Sequence, residues 1–157
     1  MDLQGEFLAL IDELNRDGAD YGVCGGIALA IHGFPRFTKD IDVLVRPQDL
    51  DRIVAVAATR GFIVAANPLR FDIGTLKERE VRRISKIEGE DVMTLDLLLS
   101  RGVLEDAWND REAFEWEGRV VKAVSAQALI KMKKIAGRDQ DLLDIRKLEG
   151  GDDEREQ

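Results

Sequence analysis

The sequence predicts an α/β fold of the mixed (α+β) kind, in which one small mixed sheet is flanked by helices. Three observations carry this. Some segments repeat apolar residues at helical spacing and others are short β-branched runs; the two kinds are interleaved along the chain; and 157 residues make one domain rather than two.

Phe7, Leu8, Leu10, Ile11 and Leu14 recur at helical spacing and Gly18 follows, so the chain opens with an amphipathic helix. Tyr21 to Cys24 reads as a short strand that Gly25 and Gly26 turn into Ile27 to His32, a helix apolar on nearly every side and stopped by Gly33 and Pro35. Ile41 to Val45 is a β-branched strand. Pro47 opens a helix carrying Leu50, Ile53, Val54 and Ala57 that ends before Gly61, and Phe62 to Val64 is a further strand. Glu80 to Ile87 mixes apolar and basic residues as an exposed strand does, whereas Val92 to Leu99 is a strongly apolar strand interrupted only by Thr94 and Asp96. Gly118 to Val124 is another strand. Ser125 is placed to cap a helix from Ala126 to Ala136, and after Gly137 a last helix runs from about Asp139 to Leu148. Residues 1–148 are therefore expected to form the domain, and the acidic stretch from Glu149 to Gln157 a solvated, disordered tail.

The composition narrows the function classes. A formal net charge of −8 argues against broad electrostatic capture of nucleic acid. No apolar run approaches the roughly 20 residues of a membrane span, and Met1 to Gln4 carries no leader pattern, so no membrane and a cytoplasmic location are expected. Cys24 is the only cysteine, which excludes an internal disulfide and suits a buried strand residue.

The most informative stretch is Gly25 and Gly26, the buried helix, and then Arg36 to Val45 with Asp40 and Asp42 two apart on a strand. Residues at that spacing point to one side, while Ile41 and Val43 face the other. Two carboxylates this close repel, and a hard divalent cation relieves the repulsion through oxygen ligands. Glycine lets the backbone approach a phosphate, and the helix that follows offers unpaired N–H groups. Singly, a Gly-Gly turn is usually a turn and an Asp-x-Asp is usually a solvated edge. In this order, together, the segment resembles the polymerase-β-like nucleotidyltransferase superfamily, whose signature is a strand, Gly-Gly or Gly-Ser, a helix, and Asp-x-Asp on the next strand. It is closest to the minimal bacterial members related to abortive-infection toxins and small antibiotic nucleotidyltransferases, with Arg36, Thr38, Asp40 and Asp42 in place.

The resemblance implies the nucleotidyltransferase fold and a third carboxylate from a later strand, which Asp96 supplies. Set among Met93, Leu95 and Leu97, its charge needs a cation or strong hydrogen bonds; otherwise it is a strand residue turned to solvent. In the late helix, Lys133 lies on the stripe of Ala126, Leu129, Ile130 and Ala136, whereas Lys131 and Lys134 do not. The resemblance gives Lys133 to the triphosphate; the alternative is a lysine snorkelling over apolar surface.

The implied reaction transfers a nucleoside monophosphate from an NTP to a hydroxyl acceptor and releases pyrophosphate. Mg²⁺ (or Mn²⁺) ions are then held by Asp40, Asp42 and Asp96, with Asp96 also able to accept the hydroxyl's proton. Gly25, Gly26, Arg36, Thr38 and Lys133 are the expected nucleotide-binding residues. The acceptor, a small molecule, a tRNA or a protein hydroxyl, is left open. Phe62 to Ile87 matches no pattern and is where acceptor specificity would reside. The competing readings are a phosphohydrolase, a glycosyltransferase, and a catalytically inactive nucleotide-binding or toxin–antitoxin partner on the same scaffold. His32 at a helix end, and Asp139, Asp141 and Asp144 at the start of the last helix, read as structural. Lys77, Arg79, Arg82, Arg83 and Lys86 read as a solvated basic strand face that could guide a nucleic-acid acceptor.

Overall fold

A computed structural model describes residues 1–150 in full and 151–156 as helical backbone. The elements run α1 (Leu3–Asp17), β1 (Gly22–Cys24), α2 (Gly25–Ile31), β2 (Asp40–Val45), α3 (Leu50–Ala58), β3 (Val64–Ala65), β4 (Leu69–Phe71), β5 (Arg79–Glu88), β6 (Asp91–Leu99), α4 (Glu105–Asn109), β7 (Arg111–Trp116), β8 (Arg119–Val124), α5 (Ala126–Ala136) and α6 (Asp139–Glu156). Short 3₁₀ turns at Pro47–Asp49 and Gly102–Leu104 lead into α3 and α4. The backbone of the expected tail continues α6 as far as Glu156, and Gln157 lies outside the described residues.

Eight strands make one mixed sheet in the order β3-β5-β6-β2-β1-β8-β7, with β4 paired to β5. The centre is decided by hydrophobicity: β2 and β6, the two most apolar strands, pair in parallel from Asp40↔Thr94 to Val45↔Leu99. Ile41, Val43, Val45, Leu95 and Leu97 are buried there, on the side away from the acids, and join a core with Phe7, Leu10, Ile11 and Leu14 of α1 and Ile53, Val56 and Ala57 of α3. A second group of helices is formed by α2, α4, α5 and α6, with α5 against each of the other three.

Local signals act as the sequence suggests at several ends. Gly18 and Gly137 adopt left-handed conformations after α1 and α5, and the Ser125 hydroxyl accepts from the Ala128 amide at the start of α5. Three elements escape sequence reasoning: β4, α4 and β7. The last is an edge strand, whose Glu112 and Glu115 stay exposed while Phe114 and Trp116 are half-buried. Strand β5 is less exposed than expected, since Glu80, Val81 and Ile84 are buried. Among the described residues no helix is long and apolar enough to cross a membrane.

Candidate active site

Strand register builds the site. Cys24 lies opposite Asp42, Asp42 opposite Asp96, and Asp96 opposite Arg83, so one row crosses β1, β2, β6 and β5. Cross-strand partners share a face, and residues two apart on a strand do as well. Asp40, opposite Thr94, therefore stands on the same face one row along. The two ends of the pair differ: Asp40 opens β2 and is exposed, while Asp42 is half-buried beside the turn from β1 into α2.

Gly25 makes that turn possible. Its φ is +64°, and a Cβ there would fall 2.1 Å from the Asp42 Oδ2 atom. At Gly26 a Cβ would stand 3.0 Å from the Thr38 hydroxyl oxygen. The room the two glycines leave is thus taken by Asp42 and Thr38, where sequence reasoning reserved it for a phosphate.

The three acids are served unequally. Arg83 grips Asp96 with both ends of its guanidinium, Nε to Oδ1 at 2.8 Å and Nη2 to Oδ2 at 3.0 Å. The pair gives both oxygens of this carboxylate a charge-assisted partner. No hydrogen bond or ion pair engages the Asp40 or Asp42 carboxylate among the described residues. Burial, then the Asp96 charge, then the Asp40 charge push the Asp42 carboxyl up to about 7, with Arg138 and Lys133 opposing.

Across the cleft, Lys133 is buried at 5% exposure, whereas Lys131 and Lys134 are exposed. Its ammonium donates to the Asp144 Oδ2 atom at 2.9 Å. Asp144, at 0% exposure, also accepts from Arg36 at 3.1–3.3 Å and from the Gln140 amide at 2.9 Å. Burial alone would raise the Asp144 pKa, but Lys133, Gln140 and Arg36 together hold it below the ordinary carboxylate value. Asp141, also buried, accepts from the Arg138 amide and guanidinium at 3.1 and 2.8 Å. Asp141 caps α6 through the Arg138 amide, as read, and holds the Arg138 guanidinium as well; the helix-start reading fails for Asp144, a counter-ion for the cations of the cleft. Thr38 closes a small turn, its hydroxyl 3.4 Å from both the amide and the carbonyl of Asp40. His32 donates from Nε2 to the Val124 carbonyl at 2.9 Å and stacks edge-on to Phe114, outside the cleft.

Every residue expected from the sequence to hold metal or nucleotide, Gly25, Gly26, Arg36, Thr38, Asp40, Asp42, Asp96 and Lys133, lines one cleft of about 380 Å³, joined there by Arg83, Arg138 and Gln140. A larger hollow of about 680 Å³ lies beside residues 1–4 and shares the Arg36–Lys39 loop with it. The basic run on β5 is not an open patch. Arg79 pairs with Asp72, Arg82 with Glu80, Lys86 with Glu6, and Arg83 with Asp96, so the suggested nucleic-acid guide is largely neutralised.

The donor set fits a divalent cation in part. Asp40 and Asp42 offer oxygen ligands with no other partner, the kind of pair that Mg²⁺ or Mn²⁺ accepts. Among the described residues, however, no three acid, histidine or cysteine side chains gather tightly enough to enclose an ion, and Asp96 is engaged by Arg83.

No protein-family profile matches the chain, and no curated protein matches it in sequence. Solved structures do. The chain is similar to a Thermotoga maritima protein whose assignment as a nucleotidyltransferase is itself an inference, at 16% identity and a TM-score of 0.62, covering 92% of this chain and 91% of that one. It is similar to the lincosamide antibiotic adenylyltransferase LnuA, solved with lincomycin bound, at 14% identity and a TM-score of 0.63 over 92% and 95%. A third is ANT(2″)-Ia, solved in complex with adenylyl-2″-tobramycin, at 15% identity and a TM-score of 0.61 over 92% and 87%. At these identities the likeness is one of fold.

Proposed function

We propose that this chain, whose fold is that of the polymerase-β-like nucleotidyltransferases, transfers a nucleoside monophosphate from an NTP to a hydroxyl acceptor. The acceptor oxygen bonds to the α-phosphorus, the bond from that phosphorus to the bridging oxygen breaks, the hydroxyl proton is lost, and pyrophosphate leaves. One observation carries the reading: Asp40, Asp42 and Asp96 stand on one face of adjacent strands, opposite Lys133 and Arg138 in one cleft.

Asp40 and Asp42 are the residues that would hold Mg²⁺ or Mn²⁺, which would supply Lewis-acid activation of the hydroxyl and screening of the triphosphate. Lys133 and Arg138 line the opposite wall and favour an anion. Each has an internal acid, so what they offer is an oriented donor more than a net charge. Asp144 holds Lys133 and Arg36 in a common position, tying α5, α6 and the loop before β2 together. Both carboxylate oxygens of Asp96 are already engaged by Arg83 in this arrangement.

Two of the similar structures carry a small-molecule antibiotic or its adenylylated product. A small-molecule hydroxyl is therefore the first acceptor to test, ahead of a tRNA end or a protein side chain. A second reading, an inactive nucleotide-binding scaffold with a protein partner such as an antitoxin, is favoured by one observation, the engagement of Asp96 by Arg83. Incubation with each labelled NTP, Mg²⁺ or Mn²⁺ and a fractionated lysate separates the two. Metal-dependent label transfer and pyrophosphate release that vanish in Asp40→Asn and Asp42→Asn support the enzyme. Binding of NTP without release under every metal and fraction supports the scaffold.

A further inference from the structure

We propose that Arg83 is a resident counter-cation of the acid cleft, which occupies Asp96 and must let it go before a divalent ion can be held there. The residue thereby sets how much metal the site takes. This rests on the reading of Asp40 and Asp42 as metal ligands.

The geometry is specific. Both Asp96 oxygens are used, at 2.8 and 3.0 Å, and the pairing is fixed by the β5–β6 register that sets the two residues opposite each other. Arg83 is also the one basic residue of β5 whose acid lies in the cleft, since Arg79, Arg82 and Lys86 reach Asp72, Glu80 and Glu6. Asp96 is nearly buried, so its charge needs some cation beside it at all times. A guanidinium and a dication cannot share it cheaply: they repel at short range, and the guanidinium already has a lone pair on each oxygen. The exchange is open to Arg83, whose side chain is 45% exposed and long enough to swing into water. Asp40 and Asp42 need no such exchange.

The test is Mn²⁺ binding to the full chain, followed by calorimetry and by loss of the free-ion electron paramagnetic resonance signal, with no nucleotide present. Arg83→Ala should bind Mn²⁺ roughly tenfold more tightly than wild type or take up a second ion, the size expected when a charge-assisted bidentate pair no longer competes. Arg83→Gln, which keeps a hydrogen bond without the charge, guards against a folding defect and should show the same gain. Adding Asp96→Asn to either variant should remove it. Wild-type affinity in both Arg83 variants, or a gain that survives Asp96→Asn, overturns the proposal while leaving the metal site standing. Failure of wild type and variants alike to bind millimolar Mn²⁺ overturns the metal reading, and this inference with it.

Discussion

Asp42→Asn, studied with a chelator present, should make the protein more stable, and by an amount that depends on pH. The native state holds the Asp42 proton up to about pH 7, because the carboxyl is buried beside Asp96 and Asp40, while the unfolded chain releases it near 3.8. A raised native pKa contributes stability that is fully present below the unfolded value and is lost as pH rises through 7. At about 1.4 kcal/mol for each tenfold in proton affinity, the difference reaches roughly 4 kcal/mol. The asparagine amide must still find partners, so a gain of about 2–4 kcal/mol is expected at pH 8.5, or roughly 5–15 °C in Tm for a chain of this size. At pH 4 almost all of the gain should be gone. Thermal melts of both proteins at pH 4, 5.5, 7 and 8.5 measure it. Millimolar Mg²⁺ should narrow the gap at pH 8.5 by stabilising the wild type. A gap independent of pH, or a variant less stable than wild type at pH 8.5, would refute the account of the acid pair as uncompensated charge.

Three other perturbations test separate parts of the site. Lys133→Ala leaves buried Asp144 with Arg36 and Gln140 alone and should cost about 2–4 kcal/mol in urea titration, whereas Lys131→Ala and Lys134→Ala should each stay within about 0.5 kcal/mol. Only the first should weaken NTP binding in calorimetry. Gly25→Ala places a Cβ on the Asp42 carboxylate in a left-handed conformation, and should lower stability by about 2 kcal/mol and abolish nucleotide transfer together. Ser125→Ala removes the α5 cap and should cost about 1 kcal/mol with NTP affinity unchanged, since that cap lies outside the cleft.

Much of this site was legible in the sequence because it violates local rules. Asp40, Asp42 and Asp96 are acids in strands that are otherwise apolar, and Lys133 is a cation on an apolar helix stripe; each anomaly marks a residue the structure brings to the cleft. Asp144 and Asp141 hid for the opposite reason. Acids at the start of a helix satisfy the dipole, so nothing local required a further explanation, and one of the partners, Arg36, lies 108 positions away. Arg83 was lost among five basic residues within ten positions, whose acids are scattered from Glu6 to Asp96. The strands β4 and β7 lacked the hydrophobic alternation that reveals a half-buried strand, because they lie beside or at the sheet's margin.

The two-residue turn at Gly89 and Glu90 acts at a distance. Gly89, at φ +60°, lets the β5–β6 hairpin close so that Glu88 meets Asp91, and counting rungs from there brings Arg83 to Asp96 at the sixth. A slip of one residue would set Arg82 or Ile84 against Asp96 and carry the guanidinium to the other side of the sheet. The turn works as a ruler: its length decides which charge the third acid sees. A relative with one residue more or fewer there can alter the balance between arginine and metal without any change to an acid, which makes an exposed loop tip the simplest lever, in evolution or by design, on the chemistry of the cleft.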